Sequence, residues 1–83
     1  MEKSIYTKEY ITFLKCLVKA RKDAGITQVE FAEKIGQTQS FVSRCERGER
    51  RIDVIELRVF CEVIGIPYTR FIEQLEEAIK AEK

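Results

Sequence analysis

Four glycines and a single proline punctuate this chain of 83 residues, and their placement restricts it to short helices. Gly25, Gly36, Gly48 and Gly65 each follow a stretch with apolar residues at three- and four-residue steps, and Pro67 stands just beyond the last of them. Glycine ends helices because it tolerates the left-handed backbone of a C-terminal cap; proline cannot continue one. The starts are marked as clearly as the stops. Thr27-Gln28-Val29-Glu30 and Asp53-Val54-Ile55-Glu56 are capping boxes, in which the first and last side chains each satisfy an orphan backbone N–H. Thr7 and Thr38 are caps for two further helices, and Glu9 suits the first turn after Thr7. The punctuation predicts helices from Thr7 to Ala24, Gln28 to Ile35, about Gln39 to Arg47, Asp53 to Ile64 and about Tyr68 to Ala81.

Apolar residues supply an inward stripe at helical period. Ile11, Leu14, Leu17, Val18 and Arg21 form it in the first helix, and Phe31, Ala32 and Ile35 in the second. Val42 and Cys45 face inward in the third, and Phe71, Ile72, Leu75, Ala78 and Ile79 line the last. There is no strand pattern, internal repeat or linker. The expected fold is all-α, five helices in one domain spanning residues 1–83.

Composition removes several functions. Charged residues are 35% of the chain and no run of about 18 apolar residues occurs, so no membrane-spanning helix is expected. Met1-Glu2-Lys3-Ser4 opens without an apolar run, which predicts no signal peptide and makes the cytoplasm the default location. The cysteines, Cys16, Cys45 and Cys61, are odd in number and far apart, unlike a disulfide framework or a zinc finger. With no histidine, a Ser–His or Cys–His nucleophile pair is impossible. No enzyme activity, metal or cofactor is expected, and a domain this small predicts no ligand pocket of several hundred Å³. Charge is unevenly spread. Residues 1–24 hold six basic and three acidic groups, whereas residues 53–83 hold four and seven. That suggests a positive face on a molecule of net charge +1, though charge alone does not identify a nucleic-acid binder.

Gly25 to Gly48 carries the functional signal. Two short helices joined by Gly36-Gln37-Thr38 follow the helix-turn-helix plan, whose second helix enters the DNA major groove. Gln39, Ser40, Ser43 and Arg44 share one face of that second helix, at i, i+1, i+4 and i+5. A merely solvated face more often carries Glu and Lys than this set of hydrogen-bonding side chains.

The run Ile26-Thr27-Gln28-Val29-Glu30-Phe31-Ala32-Glu33-Lys34-Ile35-Gly36, then Gln39-Ser40-Phe41-Val42-Ser43-Arg44 and Glu46-Arg47-Gly48-Glu49-Arg50-Arg51, resembles the phage-repressor and Cro type of helix-turn-helix, the XRE family. The resemblance covers about residues 10 to 66. It implies a five-helix, lambda-repressor-like fold that binds double-stranded DNA sequence-specifically, usually as a two-fold homodimer, and regulates transcription. It implies that Gln39, Ser40 and Arg44 read bases, the Arg fork suiting guanine O6 and N7. By the same resemblance Gln28 bonds a phosphate and braces the recognition helix, Arg47, Arg50 and Arg51 contact the DNA backbone, and Arg21 pairs with Glu46. Thr38 and Ser43 are assigned supporting roles. Phe41 either packs on a thymine methyl or sugar or shields the turn. Two positions depart from the pattern: Cys45 stands where a larger apolar residue is frequent, and Ile52 where many members have Pro.

The apolar stripe of the last helix extends past the usual end of the family domain. Phe71, Ile72, Leu75 and Ile79 are therefore expected at a homodimer interface, placing two recognition helices about one DNA turn apart. Bound near a promoter, such a protein acts as a repressor by blocking polymerase or as an activator by recruiting it. The alternative is an antitoxin-like interaction module whose last helix binds a second protein. A purely structural bundle leaves the Gln/Ser/Arg face and the arginines after it unexplained.

Overall fold

A computed structural model describes residues 7–82; the opening Met1-Glu2-Lys3-Ser4 lies outside the described residues. Five helices form in the predicted order: α1 Lys8–Asp23, α2 Gln28–Ile35, α3 Gln39–Glu46, α4 Val54–Ile64 and α5 Tyr68–Ala81. Arg47 caps α3 and is not part of it. Every expected start is realised: Thr7, Thr27, Thr38 and Asp53 each accept a hydrogen bond from the backbone N–H three residues on. Both capping boxes are complete. Gly36 takes φ +72° between α2 and α3. Gly48 takes φ +82° after α3, where a Cβ would sit 3.2 Å from Leu14 Cδ1, so both conformation and space call for glycine.

The core lies where α2 and α4 meet and where α1 closes on α3 and α5. Phe31 meets Phe60 edge-on at 5.1 Å, and Phe13 meets Phe71 edge-on at 6.0 Å. Leu17, Val42, Cys45 and Cys61 fill the space between these pairs with almost no exposed surface. Cys45 is therefore sealed from water, although smaller than the residue the resemblance leads one to expect there. Burial raises the pKa of all three cysteine thiols, and pushes Cys61 up to about 11, as suits core side chains rather than nucleophiles.

Two inward stripes differ from expectation. In α1 the buried residues are Thr12, Phe13, Leu14, Leu17 and Arg21, while Ile11 is 45% exposed. Because α5 and α3 flank α1, its buried arc centres on Phe13 and Leu17, with Ile11 and Val18 at its edge. In α5, Phe71 is completely buried in the protomer's own core. It has no surface left for a second subunit, which corrects its assignment to a dimer interface. Leu75 is half-buried against the same core, Ile79 is half-buried, and Ile72 is exposed.

Ile52 is buried, and its backbone N–H donates to the Tyr10 hydroxyl at 3.1 Å. A proline there needs no acceptor; isoleucine does, and Tyr10 provides it. The expectation about cavities also needs correction. An open groove of about 550 Å³ runs along Ile11, Leu14, Val18 and Lys22. A second, of about 400 Å³, lies among Tyr10, Val54, Tyr68, Ile72, Leu75 and Ile79. Helices packed at angles leave such clefts at their edges even in a small domain. Among the described residues no helix is long and apolar enough to cross a membrane.

Candidate nucleic-acid interface

The site starts from the turn between α2 and α3. The Gly36 N–H donates to Glu33 O at 3.2 Å and the Gln37 N–H to Ala32 O at 2.9 Å, so the chain leaves α2 along one path. The Thr38 hydroxyl then accepts the Phe41 N–H at 3.1 Å and starts α3. Phe31 and Ala32 on α2 and Val42 and Cys45 on α3 are buried, which seats the pair on the core. Gln39, Ser40 and Arg44 stand exposed on the outward face of α3, with Ser43 half-buried beside them. Arg44 is exposed, and its positive charge helps to hold the Glu49 carboxyl below its ordinary value.

Beneath that face lies a buried polar network. Arg21 Nε donates to Glu46 Oε2 at 2.7 Å and Nη2 to Oε1 at 3.0 Å, a two-pronged pair with 7% and 8% side-chain exposure. Arg21 Nη1 donates to Ile26 O at 2.8 Å, which ties α1 to the start of the helix-turn-helix. Gln28 Nε2 donates to Glu46 Oε1 at 2.8 Å, and Gln28 Oε1 accepts from Gln39 Nε2 at 3.5 Å. Orientation thus passes from α1 through Glu46 and Gln28 to the first residue of α3. Buried side-chain polar atoms among the described residues all have partners, as a buried network requires.

The arginines after α3 divide into three situations. Arg47 is exposed and donates to Glu49 at 2.9 and 3.2 Å and to the Ser43 hydroxyl. Arg51 is exposed, its guanidinium 4.8 Å from the centre of the Tyr10 ring. Arg50 turns back onto the protein: Nη1 and Nη2 donate to Glu56 at 3.0 and 2.7 Å, and Nη1 also donates to Arg51 O at 3.0 Å. Its guanidinium lies 4.6 Å above the Phe41 ring. Hydrogen bonding to Glu56 raises the Arg50 pKa, and in return Arg50 holds the Glu56 carboxyl below its ordinary value.

A family profile described as helix-turn-helix matches residues 17–71, which contain α2, the turn, α3 and α4 whole. The chain belongs to the XRE family of helix-turn-helix DNA-binding proteins. An XRE-family like protein from Pseudomonas syringae pv. tomato has a similar structure, with a TM-score of 0.81 and 45% identity over 90% of this chain and 92% of that chain. An uncharacterized HTH-type transcriptional regulator of Sinorhizobium fredii is 29% identical over 59 residues, 71% of this chain and 77% of its own length.

Within this XRE domain the structure brings Gln28, Gln39, Arg21 and Glu46 into one connected unit. Phe41 is 8% exposed and capped by Arg50, so it shields the turn and has little surface for a thymine methyl. The Arg50–Glu56 contact and the Tyr10 hydroxyl are missing from the sequence reading. The only sequence signal for the first was Glu56 itself, singled out as a helix cap, and no periodicity links it to Arg50.

Proposed function

We propose that this XRE domain is a sequence-specific transcriptional regulator that binds a two-fold symmetric operator as a homodimer. One observation carries the reading: Gln39, Ser40 and Arg44 stand exposed together on α3, while Gln28 and the Arg21–Glu46 pair hold that helix from beneath. A rigid helix presenting amide, hydroxyl and guanidinium groups fits the donor and acceptor pattern of major-groove base edges. Arg51 flanks it as a phosphate contact, and Arg47 joins it where its exposed pair with Glu49 opens to a phosphate; DNA binding puts the chain in the compartment that holds the genome. The family is a DNA-binding fold, and no catalytic step is assigned.

The dimer reading rests on apolar residues left open on one side. Val54 is 57% and Ile72 36% exposed, and Ile72, Leu75 and Ile79 share a groove with Val54. A two-fold contact there buries the excess and retains Ile72, Leu75 and Ile79, without Phe71, from the expected interface.

Selection of bound sites from random duplex DNA tests both claims. The expected result is a palindrome with half-sites about one helical turn, roughly 10 bp, apart. Arg44→Ala is expected to weaken binding by about 1–3 kcal/mol and to relax preference at one base pair per half-site. No enriched sequence defeats the specificity reading; an enriched but asymmetric site defeats the dimer. Ile72→Glu should yield a folded monomer by sedimentation, and a folded dimer places the contact elsewhere.

A further inference from the structure

We infer that Arg50 is a positioning residue for base reading, a lid that fixes the rotation of α3 through Phe41, and not a phosphate ligand. The inference rests on the DNA-binding reading above. Phe41 belongs to the first turn of α3, immediately after Ser40 and two residues after Gln39. Any turn of α3 about its axis moves the Phe41 ring and the base-reading side chains together. The ring is buried, and the Arg50 guanidinium closes over it at 4.6 Å.

The lid is itself anchored. Glu56 accepts from both terminal nitrogens of Arg50, at 3.0 and 2.7 Å. The same carboxylate accepts the Asp53 N–H at 3.0 Å, while Asp53 Oδ1 accepts the Glu56 N–H at 2.7 Å. Glu56 is thereby locked into the first turn of α4. Arg50 joins the first turn of the recognition helix to the first turn of the next.

The donor count argues the same way. Of the five guanidinium N–H groups, two go to Glu56 and one to Arg51 O. Two N–H groups are left over, and a phosphate gripped by both terminal nitrogens would have to displace Glu56 and leave that carboxylate facing an anionic strand. The Arg50–Glu56 pair is neutral as a unit, so it offers little of the counterion release that phosphate contacts supply. Arg51 differs: its guanidinium lies over the Tyr10 ring, and among the described residues no carboxylate is hydrogen-bonded to it.

The experiment measures affinity for a selected site and for an unrelated duplex across a salt series, with Arg50→Ala, Arg50→Lys, Arg51→Ala and Phe41→Leu. For Arg50→Ala we expect about ten-fold weaker binding to the selected site, a coupling of ordinary size between a supporting contact and a binding surface. Binding to the unrelated duplex and the slope of log K against log salt should stay as in the unaltered protein. Arg50→Lys keeps the charge and loses the planar fork, so it should not rescue. Phe41→Leu should give a similar loss, with little added by Arg50→Ala on top. Arg51→Ala should weaken both duplexes alike and flatten the slope by about 1.

Two results overturn the inference. Equal weakening of both duplexes with a flatter slope in Arg50→Ala, rescued by Lys, makes Arg50 a phosphate ligand. A lowered melting temperature with unchanged discrimination in the folded protein makes it a stability contact only. If the unaltered protein discriminates no sequence, the DNA reading fails on its own. Backbone amide shifts of Gln39 and Ser40 in free Arg50→Ala then decide the positioning role: moved if Arg50 sets the rotation of α3, unmoved if it does not.

Discussion

Two Arg–Glu pairs hold the recognition helix, and they do so in opposite surroundings. Arg21–Glu46 and Arg50–Glu56 have the same shortest N–O distance, 2.7 Å. The first has side-chain exposures of 7% and 8%, the second 39% and 27%. Burial changes what such a pair does. An intact buried pair adds little net stability, since desolvation offsets attraction, but one partner left alone is a buried charge and is costly. A pair partly open to water, such as Arg50–Glu56, is worth less to stability, which leaves geometry as its main contribution here. On this view Arg21–Glu46 decides whether the helix-turn-helix is built at all, and Arg50–Glu56 decides how it is aimed.

The largest expected effect comes from breaking the buried pair. Glu46→Ala leaves Arg21 charged inside the protein and removes the acceptor of Gln28. It should cost about 3–5 kcal/mol, a large share of the roughly 5–15 kcal/mol that stabilises an ordinary domain. Urea denaturation measures this directly. Arg21→Met with Glu46→Leu removes both charges and should restore much of the loss. If Glu46→Ala costs no more than Glu56→Ala, burial is not what separates the two pairs.

A neutral contact on the second pair's loop comes next. Tyr10→Phe keeps the ring under Arg51 and removes the acceptor of the Ile52 N–H. Loss of that acceptor should cost about 1–3 kcal/mol, toward the lower end if water reaches the amide. An unchanged denaturation midpoint would mean that the loop after α3 is held by Arg50 and packing alone.

The contrast also separates what was legible in the sequence from what was not. Caps and glycine stops are local, acting over three or four residues, so the five helices could be placed to within about one residue. Arg21 and Glu46 are 25 residues apart and were paired only through the family resemblance. Arg50 was read with Arg51 because adjacent arginines look alike in a loop. Nothing in their spacing says that one folds back on Phe41 and Glu56 while the other stays out. Phe71 and Ile72 posed the same problem on α5. Both fit an apolar stripe, and only the position of Phe13 on α1 determines which of them turns inward.

The smallest expected effect, and the sharpest probe of the exposed pair, is its response to acid. Arg50 holds the Glu56 carboxyl below the ordinary value of 4.5. A carboxyl with a depressed folded pKa contributes stability that is fully present above the unfolded value and lost as pH falls through the folded one. The window therefore opens near pH 4.5 and extends downward. Glu56→Gln removes the charge, yet glutamine still serves a capping box, so the start of α4 should survive. For a pair this exposed the gap between the two proteins at neutral pH should be about 0.2–1 kcal/mol. Urea titrations at successive pH values should show that gap closing below pH 4.5. Glu30 and Glu49, also held low by hydrogen bonds to their neighbours, titrate in both proteins and cancel from the difference. A gap that persists unchanged well below the window would assign the contribution of Glu56 to packing and neutral hydrogen bonds. The two pairs would then differ in more than their exposure to water.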